Sequence, residues 1–145
     1  MEHARASATR GFRVFATTRS PSQSPELNGL APLKLADNVA RSERKLIAFQ
    51  SSQLGSIGNS SGDRYSYRIS KAALNMVAKN VASALRSRSV IVVALHPGWV
   101  KTRMGGAGAP LSVEKSVAAQ QRLFDGFTMA HTGHFFNYDG TELPW

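Results

Sequence analysis

The sequence contains no cysteine and no run of about 18 consecutive apolar residues. The absence of cysteine excludes disulfide bonds and thiolate metal sites, and we predict no metal site. The absence of a long apolar run predicts that no segment spans a membrane. A chain of 145 residues, of which 42% are hydrophobic, is large and apolar enough for one folded domain. We expect a cytoplasmic location, because a cysteine-free chain fits a reducing compartment.

Acidic residues are also scarce. Asp and Glu number 9 against 18 Lys and Arg, so the formal net charge is +9. Such an excess can indicate a nucleic-acid partner. The basic residues are scattered, however, with no block of five or more and no recognised nucleic-acid motif. We therefore predict no nucleic-acid partner and keep a basic nucleic-acid binder only as a third hypothesis, which a steep salt dependence of DNA affinity would revive.

The N-terminal third has two open interpretations. Residues 1–20 are rich in Arg, Ser and Ala and nearly free of acid, a composition typical of a transit peptide. A strand over Phe12–Thr17 is the interpretation we favour, because FRVFATT is dense in strand-favouring residues. The stretch LKLAD, Leu33–Asp37, predicts a second short strand, and the polar residues 38–44 could continue a helix end.

From Lys45 onward the pattern alternates between strands and helices. The predicted elements are a strand at Lys45–Gln50, a helix beginning near Tyr67, a strand at Val90–His96, a helix from Ser112 to about Phe124, and a final strand before a turn at Asp139–Gly140. Ser112 is the expected cap of the second helix, and Gly126 is expected just past its end. This alternation is typical of a parallel sheet with helices on its faces.

The first helix has apolar residues at helical spacing. They are Ile69, Ala73, Met76, Val77, Val81, Ala84 and Leu85. In parallel sheets ligands bind at the carboxyl ends of the strands. We therefore expect Ser51, Ser52, Pro97, Gly98 and the start of this helix to meet at one rim.

Tyr67 and Lys71 lie four residues apart, so on a helix their Cβ atoms are roughly 5–6 Å apart. A phenol has an ordinary pKa of about 10 and exchanges protons poorly at neutral pH. A nearby ammonium favours the phenolate and makes a phenol a workable acid or base. A hydroxyl such as that of Ser52 could hold a substrate oxygen in line with it. A simpler interpretation is also open: a tyrosine on a helix face beside a solvated lysine, and a serine of an ordinary turn. The spacing alone does not distinguish this interpretation from a catalytic site.

Three stretches in this order carry a resemblance: SSQLGS after a predicted strand, then YSYRISKAALN, then VALHPGWVKTRM. Together they resemble the catalytic half of a short-chain dehydrogenase/reductase. Within that family, the chain is similar to the C-factor and sniffer-like carbonyl reductases in three stretches: SSQLGSIG, LHPGWVKTRMGG and the ending DGTELPW. The match covers about Lys45 to Trp145.

The resemblance implies an NAD(P)-dependent oxidoreductase acting on a small carbonyl or alcohol by hydride transfer. Tyr67 would be the general acid, Lys71 would favour its ionised form and hold the nicotinamide ribose, and Ser52 would orient the carbonyl. Ser51 and Ser56 are the substitutes for Ser52. The residues implied to bind cofactor are Arg19, Tyr67, Lys71, Pro97, Gly98, Val100 and Thr102.

Further expectations follow from the same resemblance. Arg19 would match the arginine that marks a preference for NADP, with NAD as the alternative. The loop from Met104 to Leu111 would cover the substrate, and the chain could form a homo-oligomer. Pro97–Gly98 also has a simpler interpretation, as a strand terminator.

The sequence departs from the family pattern in its N-terminal part. No glycine-rich turn follows a first strand: GGAGAP at 105–110 follows no strand, and GSIGNSSG has the wrong spacing. Lys34 stands where the family usually has an acidic residue. The family's Asn-Ala-Gly motif is absent, and so is the asparagine of its catalytic tetrad, which lies on a later helix. Only seven residues separate Asp37 from Lys45, whereas a crossover between parallel strands takes about a dozen or more.

These departures predict an α/β fold with an incomplete Rossmann-like, doubly wound parallel sheet and flanking helices. Residues 1–44 would be an N-terminal remnant and residues 45–145 the catalytic half of one truncated domain. The FRVFATT strand would pair with the open edge of the KLIAFQ strand, or the N-terminal third would be poorly ordered. The leading hypothesis is an NADP-preferring reductase, with the loss of cofactor binding or activity in this shortened chain as an open alternative. The second hypothesis is a non-enzymatic remnant that binds a protein partner.

Overall fold

The computed structural model of the chain describes Ala36 and residues 38–145. The chain divides into two compact units, Met1–Lys45 and Leu46–Trp145. In the first unit, Ala36 and residues 38–40 are helical, and the Val39 carbonyl accepts hydrogen bonds from the Ser42 N–H at 2.9 Å and the Ser42 hydroxyl at 2.6 Å.

The predicted strand at Leu33–Asp37 is wrong at Ala36, its one described residue, which is helical. LKLAD holds no β-branched or aromatic residue, and alanine and leucine favour a helix, so local propensity opposes a strand there. The helical end predicted for the polar stretch is confirmed at residues 38–40. The predicted strand at Phe12–Thr17, its pairing with the KLIAFQ strand and the order of the N-terminal third lie outside the described residues.

The second unit is built on a parallel sheet. Its strands are β1 (Leu46–Gln50), β2 (Ile91–His96) and β3 (Phe135–Asn137), in the order β1-β2-β3. Both pairings are parallel, with Ala48 opposite Val93 and Leu95 opposite Phe136. Helix α1 (Tyr65–Leu85) joins β1 to β2, and helix α2 (Val113–Gly126) joins β2 to β3. The predicted order of strands and helices, and the parallel sheet, are confirmed.

Strand β2 is buried along its whole length, as its apolar sequence predicts for a strand covered on both faces. Its alternate residues Ile91, Val93 and Leu95 face one core cluster, which Phe124, Phe127 and Phe136 complete. Ala94 faces the other cluster, with Ala78 of α1 and Phe135. The two helices therefore cover opposite faces of the sheet, as in a doubly wound fold.

The buried face of α1 differs from the apolar row that the sequence suggests. Ile69 is 68% exposed, Met76 60% and Val77 47%, whereas the buried residues are Asn75, Ala78, Ala82 and Leu85. Alanines on the inner face let the helix backbone approach the sheet closely, and the bulkier apolar side chains lie outside. Among the described helices, none is both long and apolar enough to cross a bilayer.

Helix α2 begins as predicted. Ser112 has an extended backbone, and its hydroxyl accepts a hydrogen bond from the Lys115 N–H at 3.3 Å. Gly126 is the last helical residue instead of lying past the end, because the Phe127 N–H still donates to the Leu123 carbonyl at 2.9 Å. The turn after β3 is confirmed: Gly140 has a φ of +93° and its N–H donates to the Asn137 carbonyl at 3.0 Å.

His96 ends β2 at the carboxyl edge of the sheet. The residue is only 8% exposed, and its Nδ1 atom has no hydrogen-bond partner among the described residues. Burial lowers the pKa of His96 from 6.5 to about 4, against a smaller opposing effect of the Asp139 charge. The imidazole is therefore neutral in the folded chain at neutral pH.

This burial predicts a loss of stability in weak acid. Between pH 6.5 and about 4 the unfolded chain binds a proton that the folded chain does not, so the free energy of unfolding falls as pH falls through that window. Urea denaturation of the chain and of His96→Gln, at about pH 7 and about pH 4.5, measures the effect. The substitution should reduce the pH dependence of the free energy of unfolding, because it removes the proton uptake of His96. Three carboxylates with lowered pKa values, those of Asp63, Glu114 and Asp139, contribute in both proteins and therefore do not account for the difference. Equal slopes for the two proteins would contradict this account of His96.

Candidate active site

The loop after β1 continues the sheet before it turns. The Ser51 N–H donates to the Leu95 carbonyl at 2.8 Å, which extends the pairing of β1 with β2 by one residue. Ser52 then caps a short 3-10 turn, Gln53–Gly55, and its hydroxyl oxygen accepts a hydrogen bond from the Leu54 N–H at 3.2 Å. Ser52 is buried, at 6% exposure. Its oxygen is thus fixed by the turn, and its O–H can still donate.

The proposed substitutes for Ser52 have other partners. The Ser51 hydroxyl donates to Asn75 Oδ1 at 2.5 Å in a buried position. Ser56 is 2% exposed, and its hydroxyl oxygen accepts from the Asn59 N–H at 3.1 Å. The Ser51 O–H is thus occupied, whereas Ser52 and Ser56 each accept a backbone N–H and keep an O–H that can donate.

Helix α1 begins without a side-chain cap. Arg64, its N-cap residue, has a φ of +50° and makes no capping hydrogen bond. The guanidinium of Arg68 instead holds the preceding loop: it donates to Asp63 Oδ1 at 2.7 Å, to the Ser61 hydroxyl, and to the Leu54 carbonyl at 3.4 Å. The hydrogen bond from Arg68 lowers the pKa of Asp63. Arg68 thereby connects the helix start to the Ser52 turn.

Tyr67 and Lys71 lie on the same side of α1, as their spacing predicts. The Lys71 Nζ atom is 5.7 Å from the centroid of the Tyr67 ring. The same ammonium donates to the Gln50 carbonyl at 3.3 Å, at the carboxyl end of β1. Both side chains are half-buried. The pair is therefore at the end of the sheet where a ligand is expected.

Gly55 lies close against the backbone of α1. A Cβ atom at this position would lie 2.8 Å from both the backbone carbonyl carbon and the Cβ of Lys71. Only glycine allows the turn to rest on the helix backbone at that distance. The turn that carries Ser52 is therefore seated on the helical turn that carries Lys71.

The loop after β2 forms the second side of the rim. Gly98 has a φ of +84°, and a Cβ there would be 2.8 Å from both Leu111 and Tyr138. The carbonyl of Pro97 accepts a hydrogen bond from the Ser116 hydroxyl at 2.6 Å, and Gln120 Nε2 donates to the same hydroxyl at 2.9 Å. Two buried residues of α2 thus hold the turn at Pro97–Gly98, directly after β2 ends at His96.

Val100 and Thr102 follow this turn in the loop that leads to α2. Val100 forms an isolated parallel bridge with Leu111, and the Lys101 N–H donates to the Leu111 carbonyl at 2.8 Å. The Thr102 side chain is exposed and its hydroxyl accepts from the Gly105 N–H at 3.1 Å. Met104, where the predicted substrate loop begins, is 72% exposed.

The chain segments that follow β1 and β2 carry seven of the eight distinct residues named from the sequence as catalytic, cofactor-binding or both. These are Ser52, Tyr67, Lys71, Pro97, Gly98, Val100 and Thr102. Arg19 lies outside the described residues. The sequence analysis did not identify the residues that hold the two loops in place, which are Asn75, Arg68, Ser116 and Gln120. Their only signal was a polar residue at a position that faces the core, as Asn75 does within an alanine-rich helix.

The donors at this rim fit one half of a nicotinamide dinucleotide. An ammonium, a phenol and the turn at Pro97–Gly98 suit the ribose and nicotinamide. Two glycines between β1 and α1 do not suit phosphate: Gly55 faces the backbone of Lys71, and a Cβ on Gly58 would contact Pro144 at 3.5 Å. Within the described residues, no glycine-rich turn of the type that cradles a pyrophosphate is present.

The close approach of Gly55 generates a stability prediction. Gly55→Ala places a methyl group against helix backbone that cannot rotate away, so we expect a loss of about 1–3 kcal/mol in the free energy of unfolding. Gly58→Ala is the matched control in the same loop, because its Cβ would meet its nearest neighbours at an ordinary 3.5 Å. Urea denaturation of both variants measures the difference. A Gly55→Ala protein as stable as the Gly58→Ala protein would show that the turn does not rest on α1.

The chain is similar to known proteins at the levels of family, sequence and structure. The sequence profile of the short chain dehydrogenase family matches residues 22–109. The C-signal protein of Myxococcus xanthus is 41% identical over 124 residues, which cover 82% of this chain and 75% of that protein. The 1-hydroxy-2-glutathionyl-2-methyl-3-butene dehydrogenase of Rhodococcus sp. (strain AD45) is 38% identical over 127 residues, covering 83% of this chain and 56% of that enzyme.

Solved structures give the same result. The carbonyl reductase Sniffer of Drosophila melanogaster superposes with a TM-score of 0.71 at 35% identity, covering 92% of this chain and 61% of that chain. The NADPH-bound carbonyl reductase from chicken fatty liver superposes with a TM-score of 0.69 at 31% identity, covering 90% of this chain and 59% of that chain. This chain thus spans about three fifths of the length of these two reductases. The chain belongs to the short-chain dehydrogenase/reductase family, in the branch of the C-signal and Sniffer-type proteins.

Proposed function

We propose that the chain is an NAD(P)-dependent oxidoreductase that reduces a small carbonyl compound, or oxidises the corresponding alcohol. The observation that carries the proposal is the position of Lys71. Its ammonium lies 5.7 Å from the Tyr67 ring centroid and 3.3 Å from the carbonyl oxygen that ends β1, beside the Ser52 turn. A phenol, an ammonium and a hydroxyl at the carboxyl ends of parallel strands suit proton delivery to a carbonyl oxygen.

Each residue has a distinct role in this proposal. When bound, a reduced nicotinamide supplies hydride to the carbonyl carbon. Tyr67 donates its phenolic proton to the carbonyl oxygen, and the Lys71 ammonium favours the resulting phenolate. The Ser52 O–H donates a hydrogen bond to the same carbonyl oxygen and orients the substrate. Lys71 would also hold the nicotinamide ribose, with Pro97, Gly98, Val100 and Thr102 along the cofactor.

The choice of cofactor, the location and the assembly of the chain rest on fewer observations than the reaction does. We propose NADP over NAD because, by the resemblance, Arg19 would match the arginine that marks that preference in the family. The carbonyl reductase from chicken fatty liver has NADPH bound, and a short-chain dehydrogenase/reductase from Burkholderia multivorans has NADP bound. We also propose a cytoplasmic location, residues 45–145 as the catalytic half of one domain, and a capacity to form a homo-oligomer.

A second candidate function is protein binding without catalysis. It is favoured by the exposed apolar row on α1, which includes Ile69, Met76 and Val77, because a contiguous apolar surface often marks a binding site. Titration with NADPH separates the two functions. Binding in the micromolar range or better supports the oxidoreductase, and its absence in a folded chain supports the binding module.

Tyr67→Phe tests the proposed acid. Removal of the phenolic hydroxyl should lower kcat for carbonyl reduction by ~10²–10⁴-fold, because proton transfer in the transition state is lost. The affinity for NADPH should fall far less than kcat, because Lys71 and the Pro97–Gly98 turn still hold the cofactor in this proposal. The measurement is the consumption of NADPH with a panel of small aldehydes and ketones.

Tyr65→Phe is the matched control, since Tyr65 is 69% exposed and begins the same helix. This variant should retain the wild-type rate. Equal activity of the Tyr67→Phe and Tyr65→Phe proteins would remove Tyr67 from the chemistry.

A further inference from the structure

Asn75 is a polar residue in the buried face of α1. It is 3% exposed and lies one helical turn after Lys71 and two after Tyr67, with Ala78 and Ala82 following on the same face. A buried amide destabilises a fold unless its donors and acceptors are paired. The pairing of Asn75 therefore indicates what the residue is for.

Both ends of the Asn75 amide bind the loop that carries Ser52. Its Oδ1 atom accepts a hydrogen bond from the Ser51 hydroxyl at 2.5 Å. Its Nδ2 atom donates to the Gly55 carbonyl at 3.1 Å. Ser51 immediately precedes Ser52, and Gly55 closes the 3-10 turn that Ser52 caps. One side chain thus binds the residue before Ser52 and the residue at the end of its turn.

We propose that Asn75 is the positioning residue of the candidate site: it fixes the Ser52 turn to the helix that carries Tyr67 and Lys71. Asn75 does not touch the reacting groups and acts through Ser51 and Gly55. Its catalytic consequence depends on the proposed function, whereas its effect on the turn does not.

Two features support a positioning role over simple core packing. A Cβ atom on Gly55 would meet the backbone of Lys71 at 2.8 Å, so the turn packs on the helical turn that carries the ammonium. The Ser52 oxygen is oriented from within the turn, by the Leu54 N–H at 3.2 Å, so the direction of its O–H depends on where the turn is held. A side chain that grips both ends of the turn sets that direction relative to Tyr67.

Hydrogen exchange measures this clamp without reference to activity. The Gly55 N–H donates to the Ser52 carbonyl at 2.8 Å, and the Ser56 N–H donates to the Gln53 carbonyl at 3.1 Å. Asn75→Ala should accelerate exchange at these two amides by about tenfold or more, because each lost buried hydrogen bond raises the opening equilibrium by about that factor. Amides in the second half of α1 should exchange at the wild-type rate.

The control is Asn80→Ala, an exposed asparagine on the same helix, which should leave exchange at Gly55 and Ser56 unchanged. Ser51→Ala removes one of the two hydrogen bonds of Asn75 with little change of volume. It replaces Asn75→Ala as the test variant if Asn75→Ala does not fold. In the double variant the effects should not add, because both residues act through one clamp. Unchanged exchange at Gly55 and Ser56 in either single variant would overturn the proposal.

Kinetics give the second arm of the test. Asn75→Ala should lower kcat for carbonyl reduction by about tenfold or more, as expected when a reacting geometry is loosened, while the dissociation constant for NADPH stays within about twofold. A fall in NADPH affinity equal to the fall in kcat would indicate general disruption and overturn the positioning role. A wild-type chain that reduces no carbonyl contradicts the proposed function, and the exchange measurement alone then decides whether Asn75 holds the turn.

Discussion

The contact between Gly55 and the backbone of Lys71 is the constraint on which the rest of the site depends. A strand end and a helix are each rigid, but Ser52 lies on the loop between them. Its side chain has a defined orientation only if that loop packs against the helix. The missing side chain of Gly55 lets the turn rest on α1 at a distance no other residue allows. Hydrogen bonds from Asn75 and Arg68 then hold the turn against the helix. Ser52, Tyr67 and Lys71 thereby share one rigid support.

The same principle applies on the other side of the rim. Strand β2 is covered on both faces, so its end is fixed by two core clusters. The turn that follows is bound at the Pro97 carbonyl by Ser116, which Gln120 orients in turn. Each loop at the carboxyl edge is therefore held by a buried polar side chain of the helix beside it. This arrangement would preorganise the nicotinamide side of the proposed site within Leu46–Trp145.

The sequence predicted those features that depend on local pattern. The strands at β1 and β2 follow from apolar runs, and the start of α2 follows from the capping chemistry of Ser112. Prediction failed where tertiary contacts decide: Ile69, Met76 and Val77 have the spacing of a buried face, yet alanines are buried in their place because the helix lies close to the sheet. Asn75 was missed for the same reason, since a periodicity of apolar residues says nothing about which loop a polar residue will meet. Ala36 shows the reverse case, where helix propensity outweighed an assumed strand.

The central claim is that the described residues form the nicotinamide-binding half of the site. Reduced nicotinamide mononucleotide tests it most directly, because this ligand lacks the adenosine half of the cofactor and needs no pyrophosphate-binding turn. In an NMR titration, the account predicts saturable shift changes concentrated at the backbone amides of Lys71, Gly98 and Val100, and their loss in Lys71→Met. A well-dispersed spectrum with no saturable change at those amides would contradict the account.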